Sequence, residues 1–93
     1  MATVAHGDFE WDSSKAASNV AKHDVTFEEA ALALLDPLSL DLADPLDPTR
    51  IVTIGMGSDR LLYVVSTDQN DRLRIISARK ASPYEQRTYE ETR

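Results

Sequence analysis

The chain has no cysteine, three glycines, and no basic residue between Asp24 and Asp47. Without cysteine there are no disulfides and no thiolate metal sites, as befits a reducing compartment. Three glycines leave no glycine-rich phosphate loop, and the repeated Asp-Pro pairs at 36/37, 44/45 and 47/48 lack the turn glycine of a calcium loop, so they read as acidic turns. The longest apolar run, Ala30 to Leu35, falls far short of the roughly 20 residues of a membrane span. The N-terminus, with His6, Gly7, Asp8 and Glu10, has no basic-then-apolar signal region. No serine, histidine and aspartate form an evident triad, and no metal or cofactor constellation stands out. These absences point to a cytoplasmic protein without a cofactor. Its 93 residues make one domain, in which folding buries roughly 60 to 65% of the surface of the unfolded chain.

What is present is charge, unevenly placed. Sixteen acids against ten bases give a net charge of -6. Residues 1–49 hold ten acids and two bases, whereas residues 50–93 hold eight bases and six acids. Ser13 to His23 and Arg72 to Tyr84 contain no acid at all. Brought together, these two stretches would make a positive patch on a negative body, and such a patch steers anions whatever the net charge. The second contains Arg72, Arg74, Arg79 and Lys80 on a strand-like apolar run, the natural place for an anion.

Local patterns give the elements. Met1 to Asp8 reads as a loosely held polar segment. Phe9 and Trp11 alternate with Glu10 as a brief strand or anchor, and Asp12 is placed to cap a helix from Ser13 to about His23. That helix offers Ala16, Ala17 and Val20 to a core and lines Lys15, Asn19, Lys22 and His23 on an adjacent stripe. Thr26 and Glu29 read as a capping box for a second helix from Phe27 to Leu35, burying Phe27, Ala30, Ala31, Leu34 and Leu35. Strands are expected at Leu38 to Leu42, Arg50 to Gly55, Arg60 to Thr67 and Arg72 to Ala81, the last two joined by a four-residue loop, Asp68 to Asp71. Ser82 to Glu85 is a second capping box, with proline at the first helical position, for a helix ending near Glu91. The expected architecture is α+β: two N-terminal helices, a four-stranded antiparallel sheet and a C-terminal helix.

Phe9-Glu10-Trp11-Asp12, Lys15, Asn19, Lys22-His23, Val25-x-Phe27-Glu28-Glu29-Ala30, Asp36-Pro37, Val52-Thr53-Ile54-Gly55 and Arg74-Ile75-Ile76-Ser77-Ala78-Arg79 together resemble the BrnT family of bacterial type II toxins, in matching order from Phe9 to Tyr89. Asp24 stands where that family usually shows glycine, and aspartate tolerates the left-handed conformation a helix end needs. The resemblance implies a RelE-like fold and a metal-independent endoribonuclease activity that blocks translation. It also implies a partner antitoxin with a ribbon-helix-helix segment, and DNA contact only through that partner. The apolar Leu61 to Val65 run is compatible with a dimer, or with a heterotetramer containing the antitoxin.

Metal-free RNA cleavage by a 2′-OH needs a base, cations around the phosphorane and an acid for the leaving oxygen. Arg74 and Arg79 are the first candidates for the cations, because the guanidinium fork holds two phosphate oxygens; the alternative is that each pairs with an acid of the body. His23 is either the proton-transfer group or a helix-end cap, and Lys15 either holds phosphate or is a solvated surface residue. Trp11, Asn19, Lys22, Arg72 and Lys80 are candidates for RNA binding around that centre, with Trp11 either stacking a base or packing in the core. A competing expectation is a detoxified, non-catalytic module that binds the antitoxin and serves in promoter autoregulation.

Overall fold

A computed structural model describes residues 2–92. The chain opens with a hairpin, β1 (Thr3–His6) and β2 (Phe9–Asp12), turning at Gly7 with φ of +61°. Two helices follow, α1 (Ser13–His23) and α2 (Phe27–Leu34), and then β3 (Leu40–Ala43), β4 (Arg50–Met56), β5 (Leu61–Gln69), β6 (Arg72–Lys80) and α3 (Pro83–Glu91). The strands form one sheet in the order β1-β2-β6-β5-β4-β3, antiparallel throughout except where β2 runs parallel to β6.

The protein is therefore α+β with a six-stranded mixed sheet, which corrects the expected four-stranded antiparallel sheet behind two opening helices. The missed pairing is short and remote: Phe9 opposite Leu73 and Glu10 opposite Arg74. Nothing local to either stretch announces a parallel partner that distant. Thr3–His6, expected to be loose, pairs with β2 as the edge strand β1, while Met1 lies outside the described residues. The loop between β5 and β6 is also tighter than expected. Gln69 and Arg72 are directly paired, and Asn70 takes φ of 62°, a left-handed value that asparagine accepts readily.

Strand alternation separates two cores. Leu62 and Val64 join Phe9, Trp11, Val25, Phe27, Ile75 and Ala78 in the core shared with α1 and α2. Tyr63 points the other way, against Ile54, Leu61, Ala81 and Tyr89 of the core capped by α3. Full burial of a side chain such as Phe27 stabilises by about 1.5–3 kcal/mol. The small residues of α2 allow close approach to the sheet. At Gly55 an added Cβ would lie 2.3 Å from the Ala33 carbonyl oxygen. No described helix is long and apolar enough to cross a membrane.

The helix ends follow local rules in part. Asp24 ends α1 in the left-handed region, with its N–H donating to the Val20 carbonyl. Asp12 occupies the N-cap position but makes no side-chain cap bond. Thr26 caps α2 by accepting from Glu29 N–H, whereas the Glu29 carboxylate is drawn away to Arg60 on β5's flank (2.9 and 3.1 Å) instead of closing a box. At α3 the box is complete. Each Asp-Pro turn uses one device: Oδ1 of Asp36, Asp44 and Asp47 accepts the N–H two residues on, each at 2.9 Å.

The apolar faces of both helices differ from the simple stripe. Leu35 is 62% exposed and Val20 is 42% exposed, while the buried side chain of α1 is Asn19, at 6%. Its amide answers three backbone groups. Nδ2 donates to the carbonyls of Val25 (2.9 Å) and Ala78 (2.8 Å), and Oδ1 accepts from Ala78 N–H (3.1 Å). β2 covers β6 only at Leu73 and Arg74, so the edge at Ala78 would otherwise lack partners. An amide there is worth more than a valine because unpaired buried backbone groups are expensive.

Two outcomes follow for stability. Asn19→Ala strands three buried backbone groups and should lower the unfolding free energy by about 2–4 kcal/mol in urea titrations; a loss under about 1 kcal/mol would show the amide is dispensable. The Arg60 hydrogen bond, and secondarily its charge, hold the Glu29 carboxyl below the usual glutamate range against the opposing effect of burial. A depressed folded-state pKa means stabilisation that is fully present above the unfolded value of about 4.3 and lost as the pH falls through the lower folded value. The stability gap between wild type and Glu29→Gln should therefore close as unfolding is measured at increasingly acid pH below about 4.3.

Candidate functional site

Because Asn19 clamps α1 to the outer edge of β6, the two acid-free stretches meet there. The shallow, open cleft between them is lined by Lys15, Ser18, Asn19, Lys22 and His23 of α1 and by Ile76 and Ser77 of β6, with a volume of about 190 Å³. Ile76 sits at the bulge where the β5–β6 register shifts, between the pairs Val65–Ser77 and Ser66–Ile75. The extra residue re-aims the strand at this point, as bulges do. Drug-sized ligands occupy roughly 300–1,000 Å³, so the cleft suits a small ionic group of a larger molecule.

No carboxylate lines the cleft. Lys15 and Lys22 lie seven residues apart on one helix face, about two turns along the axis, and neither has an acidic partner among the described residues. Ser18 and Ser77 add hydroxyl donors between them. His23 closes one end as the last residue of α1, and the backbone just beyond it is held by Arg60, whose Nη2 donates to the Asp24 carbonyl at 2.7 Å. Imidazole is the side-chain group that exchanges protons near neutral pH. Two ammonium groups, two hydroxyls and an imidazole around a small concavity can bind a phosphodiester and move a proton on it.

The expected site residues divide into two groups. Lys15, Asn19, Lys22 and His23 come together, with Asn19 at the floor acting through its backbone bonds. Arg74, Arg79, Arg72, Lys80 and Trp11 are not part of the cleft lining. Arg74 pairs with Glu10 on the neighbouring β2 at 2.6 Å. Arg79 is held by both oxygens of Glu85 at 2.9 Å each, and its guanidinium lies 3.9 Å over the Tyr63 ring. The Glu85 hydrogen bonds hold the guanidinium more firmly protonated than usual, and the same bonds hold the Glu85 carboxyl low. Arg72 donates from Nε to the Gly7 carbonyl, and Lys80 is exposed without an acidic partner among the described residues. Trp11 is 2% exposed and packs edge-on against Phe27, with ring centroids 5.8 Å apart, so it offers no face to a base.

Three lining residues escaped the sequence reading: Ser18, Ile76 and Ser77. Ser18 had a legible signal, since it lies three residues after Lys15 and four before Lys22 on the same face. Ser77 and Ile76 did not, because their placement depends on the bulge.

No curated protein matches the chain. A sequence model for one family, described as ribonuclease toxin, BrnT, of type II toxin-antitoxin system, matches residues 11–85. That span takes in every residue lining the cleft and the whole of β3 to β6. The chain thus belongs to the BrnT family of ribonuclease toxins of type II toxin-antitoxin systems.

Proposed function

We propose that the protein is an endoribonuclease that cleaves RNA in the α1–β6 cleft without a metal ion, blocks translation in the cytoplasm, and is neutralised by a ribbon-helix-helix antitoxin. The observation that carries this reading is the acid-free cleft, in which Lys15, Lys22 and His23 surround one small concavity. In the reaction the 2′-oxygen bonds to the adjacent phosphorus as the bond to the 5′-oxygen breaks. His23 takes the 2′-OH proton and returns it to the leaving oxygen. Lys15 and Lys22 offset the charge gathering on the phosphorane, with Ser18 and Ser77 donating to its oxygens. Arg74 and Arg79 brace β6 through Glu10 and Glu85, and this reading gives them no contact with the reacting phosphate.

The commitment of both arginines to carboxylates also favours a second reading, a detoxified module that binds the antitoxin and acts in promoter autoregulation. DNA is reached only through the antitoxin in either case, since a duplex repels an acidic chain.

The test is RNA cleavage by purified protein with and without a chelator. Lys15→Ala and Lys22→Ala should each lower kcat/KM by about 10- to 100-fold, and His23→Ala by about 100- to 10,000-fold, with the fold retained by circular dichroism. Chelation should leave the rate unchanged. Arg79→Ala should retain activity within about tenfold while lowering stability. Absence of cleavage by wild-type protein that binds a small basic partner would establish the second reading. Full activity in folded Lys15 and His23 variants would move the site elsewhere.

A further inference from the structure

The end of the sheet farthest from the cleft has a different chemistry. β3 pairs with β4 on one side only, so its outer edge presents backbone donors and acceptors with no strand beside them among the described residues. Leu38, Leu42 and Leu46 are exposed along this edge, Leu46 at 93%. Between them stand Asp41 and Asp44, neither with a basic partner among the described residues. Asp41 accepts from the Thr53 hydroxyl at 2.7 Å and Asp44 from Leu46 N–H, contacts that fix both side chains without neutralising them. The three Asp-Pro turns hold the strand in a defined path on either side.

We infer that the outer edge of β3 docks an extended, basic polypeptide segment in which apolar and lysine or arginine side chains alternate, added as a further strand. Main-chain bonds would supply the pairing, Leu42 would take apolar side chains on one face, Asp41 would meet the cations on the other, and Asp44, just past the end of the strand, would add to the local negative potential. Charge selects this occupant. A second copy of the chain brings a net charge of -6 and sets its own Asp41 and Asp44 against the first, and directly opposed like charges destabilise a strand pair. Carboxylates on an edge strand are a common guard against self-pairing, and they admit a basic strand for the same reason that they repel an acidic one. The other open edge, β1, carries no charge on Thr3, Val4 or Ala5 and makes no such selection.

β4 and β5 separate β3 from β6, roughly 14 Å across the sheet at about 4.8 Å per strand. A segment on β3 therefore leaves the cleft open, so docking and the RNA reaction are separable. The inference rests on membership of a two-component family for the existence of a protein partner, and not on the RNA-cleavage reading.

The probe is a synthetic peptide alternating lysine and valine, with a glutamate–valine peptide as control, titrated into isotopically labelled full chain. The lysine peptide should shift the Leu40–Ala43 amide resonances and slow their hydrogen exchange, and the glutamate peptide should do neither. Asp41→Lys combined with Asp44→Lys should weaken binding at least about tenfold. The same charge change at the β5–β6 turn, two strands in from the edge, Asp68→Lys with Asp71→Lys, should weaken it much less. If the first double variant does not fold, Asp44→Lys alone, outside the strand, carries the comparison. RNA cleavage should be equal in all of them, so an inactive wild type would count against the ribonuclease reading and leave the peptide result standing. Shifts that avoid β3, equal weakening by both double variants, or self-association through β3 in place of peptide binding would overturn the inference.

Discussion

The arrangement of this small protein depends on a strand edge that its own sheet leaves incomplete. β2 runs beside β6 for only two residue pairs, and beyond them the backbone of β6 faces outward. A helix cannot pair with a strand through its main chain, because its own ladder uses those groups. Asn19 solves the problem by presenting an amide, chemically a single peptide unit, to both the N–H and the carbonyl of Ala78. The same side chain reaches back to the Val25 carbonyl in the connection to α2. One residue thereby fixes the separation of α1 and β6, and no described buried side-chain polar atom is left without a partner.

The clamp also explains how an acidic chain keeps a basic cleft. Packing α1 against the outer half of β6 brings together the two stretches from which acids are absent, and no carboxylate lines the cleft between them. Glu29 on α2 is neutralised by Arg60, and that arginine simultaneously restrains the backbone after His23 by donating to the Asp24 carbonyl. The arginines of β6 have the opposite character. Arg74 and Arg79 are each matched to a carboxylate and Arg72 donates to a backbone carbonyl, whereas the lysines of α1 have no acidic partner among the described residues.

Much of this was legible where the determining contacts are local. Capping residues such as Thr26 and Ser82, the left-handed Asp24 and the apolar runs of β4 and β5 are written within a few residues of where they act. The positive patch was legible as two acid-free segments, though not which cations would face the cleft. That depended on the β6 bulge and on Glu10 and Glu85, which lie on other elements and claim Arg74 and Arg79. Asn19 was visible as part of a polar stripe but not as the buried face of its helix, because its value comes from an open edge 59 residues away. The mixed sheet was illegible for the same reason: two residue pairs between distant strands leave no periodicity.

That separation has a consequence for the life of the chain. During synthesis α1 can form early, since its hydrogen bonds are local, yet the amide that builds the cleft has nothing to bind until β6 has been made and released from confinement. Pairings of long sequence separation form late because the intervening chain must first be ordered. A partly made chain therefore carries the lysines and histidine of the site on a free helix, without the wall that turns them into a cleft. The cleft is thus a property of the finished molecule alone, present only once both acid-free stretches have been made and joined through Asn19.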